Sequence, residues 1–131
     1  MTYDFEVSEQ IPASPQAIYE AWLSSDGHSA MTGGGAHIDP AIGGAYDAWD
    51  GFIHGTTLEA EPFSRIVQTW RSAKFTEENE DSVIEVTFNG NDDGTLVVVR
   101  HSKVPADDLG YENGGWQRSY FDPMKAYFTA N

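Results

Sequence analysis

The 131-residue sequence contains no cysteine, which excludes a disulfide framework, a thiolate metal site, a cysteine nucleophile and iron–sulfur chemistry. Basic residues are scarce. Seven Lys and Arg face 21 Asp and Glu, for a formal net charge of −14. A field of that sign repels phosphate backbones and anionic lipid heads, so nucleic acid is not an expected partner. The acidity fits an ordinary solvated surface and equally an adaptation to salt, since both follow from the same charge balance. Also missing is any apolar run near the roughly 18 residues of a membrane span. The N-terminus, Met1 to Val7, lacks a basic segment followed by an apolar one. A cytoplasmic protein is the expectation.

What is present fits one domain over residues 1–131, long enough to close a sizeable core. Tyr3, Phe5 and Val7 alternate with Asp4, Glu6 and Ser8, the period of a half-buried strand, and the inward row continues through Glu9 and Ile11. Ser14 followed by Pro15 offers a helix cap and a first helical residue, and Ile18 and Trp22 then share one face. Ser24 to Gly27 reads as the end of that helix. From Gly27 to Gly44 the glycine content predicts loops with a brief helical turn around Ser29 to Met31.

Strand candidates then recur at regular spacing: Ala45 to Trp49, Phe52 to Ala60, Arg65 to Arg71, Val83 to Phe88 and Leu96 to Ser102. Asp50-Gly51, Glu61-Pro62 and Asn89 to Gly94 supply the turns of successive antiparallel hairpins. After Pro105 the period becomes helical through Trp116, Tyr120, Met124 and Tyr127, with Pro123 predicting a bend near Ser119 to Pro123. The order strand, helix, run of strands, long helix defines an α+β fold in which a curved antiparallel sheet wraps the last helix.

Chemistry is harder to place than architecture. The four histidines, His28, His37, His54 and His101, form no recognised ligand spacing, so neither metal nor cofactor is expected. Gly33-Gly34-Gly35 lacks the following Lys-Ser or Lys-Thr of a phosphate loop and reads instead as a flexible loop at a cavity rim. Scattered serines have no nucleophile-elbow surroundings. Glu9 is the one carboxylate whose strand parity turns it inward, and acid–base work needs a carboxylate in a dry cleft. On the last strand Val97, Val99 and His101 share the inward face, where His101 either satisfies itself in the core or orients a ligand oxygen.

Several segments together resemble a known family. They are Ile11 to Pro15 with Ala17 to Trp22, Ile38-Asp39-Pro40 with Gly43-Gly44, Leu58 to Pro62 with Arg65 to Arg71, Gly94 to His101, and Gly115-Trp116 with Tyr120 to Phe128. In this order they look like the bacterial activator-of-heat-shock-protein-ATPase homologues. The resemblance implies the helix-grip fold shared with START lipid-transfer domains and the birch pollen allergen, with a cavity between sheet and terminal helix. The namesake activity belongs to eukaryotic co-chaperones that carry an additional N-terminal domain, so chaperone interaction is a secondary expectation here. Glu9 stands where relatives often carry a basic residue.

The leading expectation is a protein that binds a small, largely apolar or aromatic molecule in that cavity. An aromatic wall with few polar groups is what such a site looks like. Its ligand-facing residues are expected to include Trp49, Phe52, Trp70 and His101 from the sheet. From the terminal helix come Trp116, Tyr120, Met124 and Tyr127, the last three forming a stripe that sets selectivity. The alternatives are an enzyme using the same cavity for acid–base, cyclase-like chemistry, and a module that acts on a chaperone.

Overall fold

The computed structural model describes residues 2–106 and 110–130. Strand β1, Thr2–Ile11, is followed by helices α1, Pro15–Trp22, and α2, Ser25–Thr32. Strands β2, His37–Ile38, β3, Ala45–Ala48, β4, Ile53–Glu61, β5, Arg65–Ser72, β6, Ser82–Asn91, and β7, Gly94–Pro105, come next. The C-terminal segment has two π-helical turns, Tyr111–Gly115 and Gln117–Phe121, that run into helix α3, Asp122–Ala130. All seven strands form one antiparallel sheet in the order β1-β7-β6-β5-β4-β3-β2, so consecutive hairpins build it and β1 closes its far edge.

Period-two burial makes one face of this sheet the core wall. Ile66, Gln68, Trp70 and Ser72 point inward from β5, Ile84, Val86 and Phe88 from β6, and Val97, Val99 and His101 from β7. The outward row carries charges in ladders. Arg65 bridges Glu59, Glu61 and Glu85, while Arg100 pairs with Glu6 across β7 and β1. One extra residue interrupts the β1–β7 register opposite Asp4. Lys103 there takes a left-handed backbone with φ 59°, and its amide donates to Asp4 at 3.0 Å.

Helix α1 starts as its sequence dictates. Ser14 has extended backbone, its hydroxyl accepts from the Ala17 amide at 3.2 Å, and Pro15 opens the helix. Helix α2 replaces the loop and brief turn that composition suggests. Ser24, rather than ending α1, caps α2 by accepting from the Gly27 amide, and Gly33 closes it in the left-handed conformation with φ 86°. Gly27 is permitted mid-helix because a Cβ there would lie 2.8 Å from Ala21 Cα; its absence lets α1 and α2 pack closely. Tertiary contact has overridden local propensity. The two-residue strand β2 was too short to show in the sequence pattern.

The C-terminal irregularity is more extensive than a proline bend. The amides of Trp116 and Asp122 reach back five residues, to Tyr111 and Gln117, so the widened turns begin well before Pro123. The fold is the α+β helix-grip arrangement, a curved antiparallel sheet against a C-terminal helix. No helix among the described residues is long and apolar enough to cross a membrane.

Candidate functional site

A cavity of about 310 Å³ opens between one end of the sheet and the π-helical turns, at the small end of the range for small-molecule sites. Trp49 and Phe52 reach it from the β3–β4 turn, Trp70 and Ser72 from β5, and Lys74 from the turn beyond. Tyr111, Trp116, Ser119 and Tyr120 supply the opposite wall. Trp116 lies 4.8 Å from Trp70 and 4.9 Å from Tyr120 between ring centroids, both tilted, which makes the floor a continuous aromatic surface.

The β3–β4 turn is built under strain. Trp49 and Asp50 are both left-handed, with φ 55° and 57°, and Gly51 follows at φ 90°. A tryptophan is a poor choice for that conformation, and such outliers persist only where the surroundings hold them. The glycine run supplies the hold. A Cβ on Gly34 would come within 2.2 Å of the Trp49 ring and one on Gly35 within 2.3 Å of Asp50 Oδ1, while the Asp50 amide donates to the Gly35 carbonyl at 2.9 Å. Gly34 and Gly35 are thus the seat on which the Trp49 turn rests, a role the loop reading of those glycines did not contain.

Hydrogen bonds then fix most of the aromatic wall. His28 Nδ1 lies 2.9 Å from the Trp22 carbonyl and must donate to it, so its Nε2 accepts from the Tyr120 hydroxyl at 2.8 Å. Burial pushes the Tyr120 phenol well up, opposed by a hydrogen bond from Trp49, so Tyr120 is a neutral hydroxyl. Burial also lowers His28 against the opposing effect of its bond to Trp22. Trp22 donates its indole N–H to Gln68 at 3.1 Å, and Gln68 donates to Thr57 at 3.1 Å.

His101 belongs to a second satisfied chain. The Trp116 indole donates to its Nδ1 at 3.2 Å, which leaves Nε2 protonated toward Ser82 Oγ at 2.9 Å, and Ser82 donates onward to the Trp70 carbonyl. Burial pulls the imidazole down to about 3, so it stays neutral. No carboxylate faces it in this chain of bonds. The ring lies behind Trp70 and Trp116, 5.8 Å from each, and does not line the cavity.

One group stands apart. The Trp70 indole N–H is buried without a hydrogen-bond partner among the described residues, although Trp70 is only 3% exposed. An unpaired buried donor carries the desolvation cost of that group uncompensated.

Of the residues picked from the sequence, Trp49, Phe52, Trp70, Trp116 and Tyr120 line one cavity. Met124 is fully buried in the main core, and Tyr127 is half-buried edge-on to Phe128 at 5.0 Å. A π-helical turn holds an extra residue, so spacings of four count differently before Asp122 and after it. Ser72, Lys74, Tyr111 and Ser119 were not picked. Ser72 was legible as Trp70 plus two on β5; Ser119 needed the position of the widened turns. Glu9 turns inward as its parity suggests but sits away from the cavity, accepting from Gln117 at 3.0 Å with Lys125 Nζ at 3.6 Å. No group of His, Asp and Glu among the described residues is arranged to hold a metal ion.

A seven-stranded sheet closed by a C-terminal helix, with an aromatic cavity between them, defines the chain as a helix-grip protein. The profile of the family described as Activator of Hsp90 ATPase homolog 1-like protein matches residues 12–129, and the chain belongs to that family. It is 27% identical over 131 residues to an activator of 90 kDa heat shock protein ATPase homolog from Dictyostelium discoideum, covering 98% of this chain and 33% of that protein. A human relative, activator of 90 kDa heat shock protein ATPase homolog 1, is 27% identical over 127 residues, covering 97% of this chain and 37% of that protein. The chain thus spans about a third of the length of these curated relatives. Among solved structures, an HSP90 activator from Plasmodium falciparum superposes with a TM-score of 0.84 at 21% identity, covering 95% of this chain and 94% of that one. A protein from Mesorhizobium loti gives 0.81 at 20% identity, covering 98% of each chain.

Proposed function

We propose that this chain binds a small, flat, largely apolar molecule in the cavity walled by Trp49, Trp70, Trp116 and Tyr120. The carrying observation is the cavity itself: about 310 Å³ bounded by aromatic rings from both sheet and helix, on a turn strained to hold Trp49 in place. Aromatic side chains give large contact area at low entropic cost, and preorganised walls keep that area available for an occupant. The enzyme alternative finds less support. None of the described lining residues is acidic, and both ring nitrogens of His101 are engaged by neutral partners.

The reading is tested with methylnaphthalene, followed by calorimetry or by the indole N–H resonances of the four tryptophans. Saturable binding is expected, and Ser119→Trp, at an exposed position of the cavity wall, should abolish it while leaving the far-ultraviolet spectrum unchanged. Wild-type protein that binds no such hydrocarbon, or a Ser119→Trp variant that binds it equally well, would overturn the reading.

A second reading rests on the names of the relatives. Proteins described as activators of a 90 kDa heat shock protein ATPase share the family, which supports a contact of this chain with a chaperone of that kind. Its measure is chaperone ATP hydrolysis with and without added chain. A rate unchanged at saturating chain removes it.

A further inference from the structure

The donors of the cavity are better defined than its apolar walls, and they specify an occupant. Trp70 and Ser72 alternate on β5 and so share its inward face, and Lys74 follows two residues later, all three lining one side of the cavity. The Trp70 N–H has no partner among the described residues. Ser72 is 2% exposed; its oxygen accepts from the Lys74 amide at 3.1 Å, so its hydroxyl proton remains to be donated. Lys74 is exposed and in no ion pair among the described residues, whereas Arg65, Arg71, Arg100 and Lys125 are each matched to carboxylates.

Resting on the small-molecule reading, we infer that the occupant is a conjugated ring carboxylate, its ring against Trp116 and Tyr120 and its carboxylate on the Trp70 N–H, the Ser72 hydroxyl and the Lys74 ammonium. A carboxylate accepts through two oxygens and about four lone-pair sites, enough for the three donors that this side of the cavity carries; a hydrocarbon would leave the indole N–H without an acceptor. Charge-assisted bonds of this kind are roughly twice as strong as neutral ones and offset the desolvation of the anion.

The chain's −14 charge works against any anion at long range. At physiological ionic strength the screening length is about 8 Å, so distant carboxylates are damped while a contacting ammonium is not. Among the described lining residues Lys74 is the only Lys, Arg, Asp, Glu or His. The local field therefore opposes the global one, and among the described residues this cavity sets a lysine in no ion pair beside the buried unpaired donor. Its volume, at the low end for small-molecule sites, suits one or two fused rings and excludes a long acyl chain.

The experiment compares naphthoate with methylnaphthalene, which share a ring system and differ in the carboxylate, using the full chain in calorimetric titrations. Naphthoate is expected to bind at least about tenfold more tightly, in line with hydrogen bonds to a charged group. It should move the Trp70 indole N–H resonance downfield, as a hydrogen bond does, beyond the ring-current shift that methylnaphthalene produces. Trp70→Phe, Ser72→Ala and Lys74→Met should each shrink the ratio of naphthoate to methylnaphthalene affinity, Trp70→Phe weakening both compounds because it also trims the aromatic wall, and raised salt should shrink the Lys74 share. If Trp70→Phe does not fold, the Ser72 and Lys74 variants decide. Equal affinity for both compounds, or a preference that survives the variants, overturns the carboxylate inference and leaves the cavity reading standing. Binding of neither compound overturns both.

Discussion

Trp22 and Trp70 are members of one aromatic cluster, both packed against Trp116 and Tyr120, yet they sit in two different kinds of surroundings. Around Trp22 each polar group is matched. Its N–H meets Gln68, Gln68 meets Thr57, its carbonyl meets His28, and α1 is capped by Ser14. Around Trp70 the rules loosen: an unpartnered indole donor, a left-handed tryptophan at Trp49, two π-helical turns and an open cavity. A region in which propensity, packing and hydrogen bonding agree is scaffold. A region that departs from several of them together, while the rest of the molecule holds it in place, is where a site is to be sought.

The sharpest way to break this comparison is at the scaffold tryptophan. Truncating Trp22 to alanine should cost about 3–5 kcal/mol, a large share of a domain's net stability of about 5–15 kcal/mol. Thermal melts should move down by about 10–20 °C. A shift of only a few degrees would mean that the Trp22 side is as loosely packed as the cavity side.

Protonation gives the next largest effect, because one buried histidine lies in each region. His28 and His101 are both held below the ordinary histidine value of about 6.5, His101 down to about 3. In the unfolded chain each takes up a proton as pH falls through about 6.5, while in the folded protein His101 does not until about 3. Stability is therefore full above about pH 7 and declines as pH drops from there toward 3, with a limiting slope of about 1.4 kcal/mol per pH unit from His101 and a contribution of the same sign from His28. Urea unfolding at pH 7 and pH 5 should show a clear loss at the lower pH, with a smaller slope in His101→Gln. Equal midpoints at the two values would show that neither ring is held neutral.

A paired substitution sharpens the contrast further. Trp22→Phe strands the Gln68 carbonyl oxygen in the core, whereas Trp70→Phe removes a donor that had no protein partner to lose. With the ring truncation the same in both, Trp22→Phe should be the more destabilising by about 1–3 kcal/mol in chemical denaturation. Equal costs would assign the Trp70 N–H a hidden partner, such as a bound water, and weaken the basis for a carboxylate ligand.

The same division separates what was legible in the sequence from what was not. Alternation on β5 to β7 and the Ser14-Pro15 start of α1 follow from local rules, and the structure has them where the pattern puts them. The length of α2 escaped because Gly27 counts against a helix locally and is explained only by the close approach of Ala21. At the cavity, five of eight picked residues line the same space because strand parity and aromatic content are local signals. Met124 and Tyr127 were placed by a helical period of 3.6 that the π-helical turns do not keep. Lys74 and the seating of Trp49 on Gly34 depend on contacts between distant segments, for which a single sequence carries no periodic signal.

That seating is itself open to test. In Gly34→Ala the new Cβ would meet the Trp49 ring at 2.2 Å, so ring or backbone must shift, at about 1–3 kcal/mol for an overpacked site. The variant should lose methylnaphthalene affinity as well as stability. Gly33→Ala meets no side chain but is strained at φ 86°, and should cost stability while sparing binding. Loss of binding in both would make the loop, rather than Trp49, the responsible element.

The smallest effect is expected at Glu9, the one inward carboxylate on the first strand, and its smallness is informative. Its side chain is 24% exposed, paired with a Lys125 that is 47% exposed at 3.6 Å, and it accepts from the Gln117 amide. Ion pairs that accessible contribute about 0–1 kcal/mol because water and salt compete for both partners. Glu9→Gln keeps an oxygen for Gln117 and gives up the charge and the second oxygen, which accepts from the Gln10 amide at 3.1 Å, so stability should change by about 1 kcal/mol or less. Naphthoate affinity should stay within error of wild type, since Glu9 does not line the cavity. A variant that folds normally but loses ligand affinity would place Glu9 in the site after all, and would join the strand edge to the aromatic region from which the structure separates it.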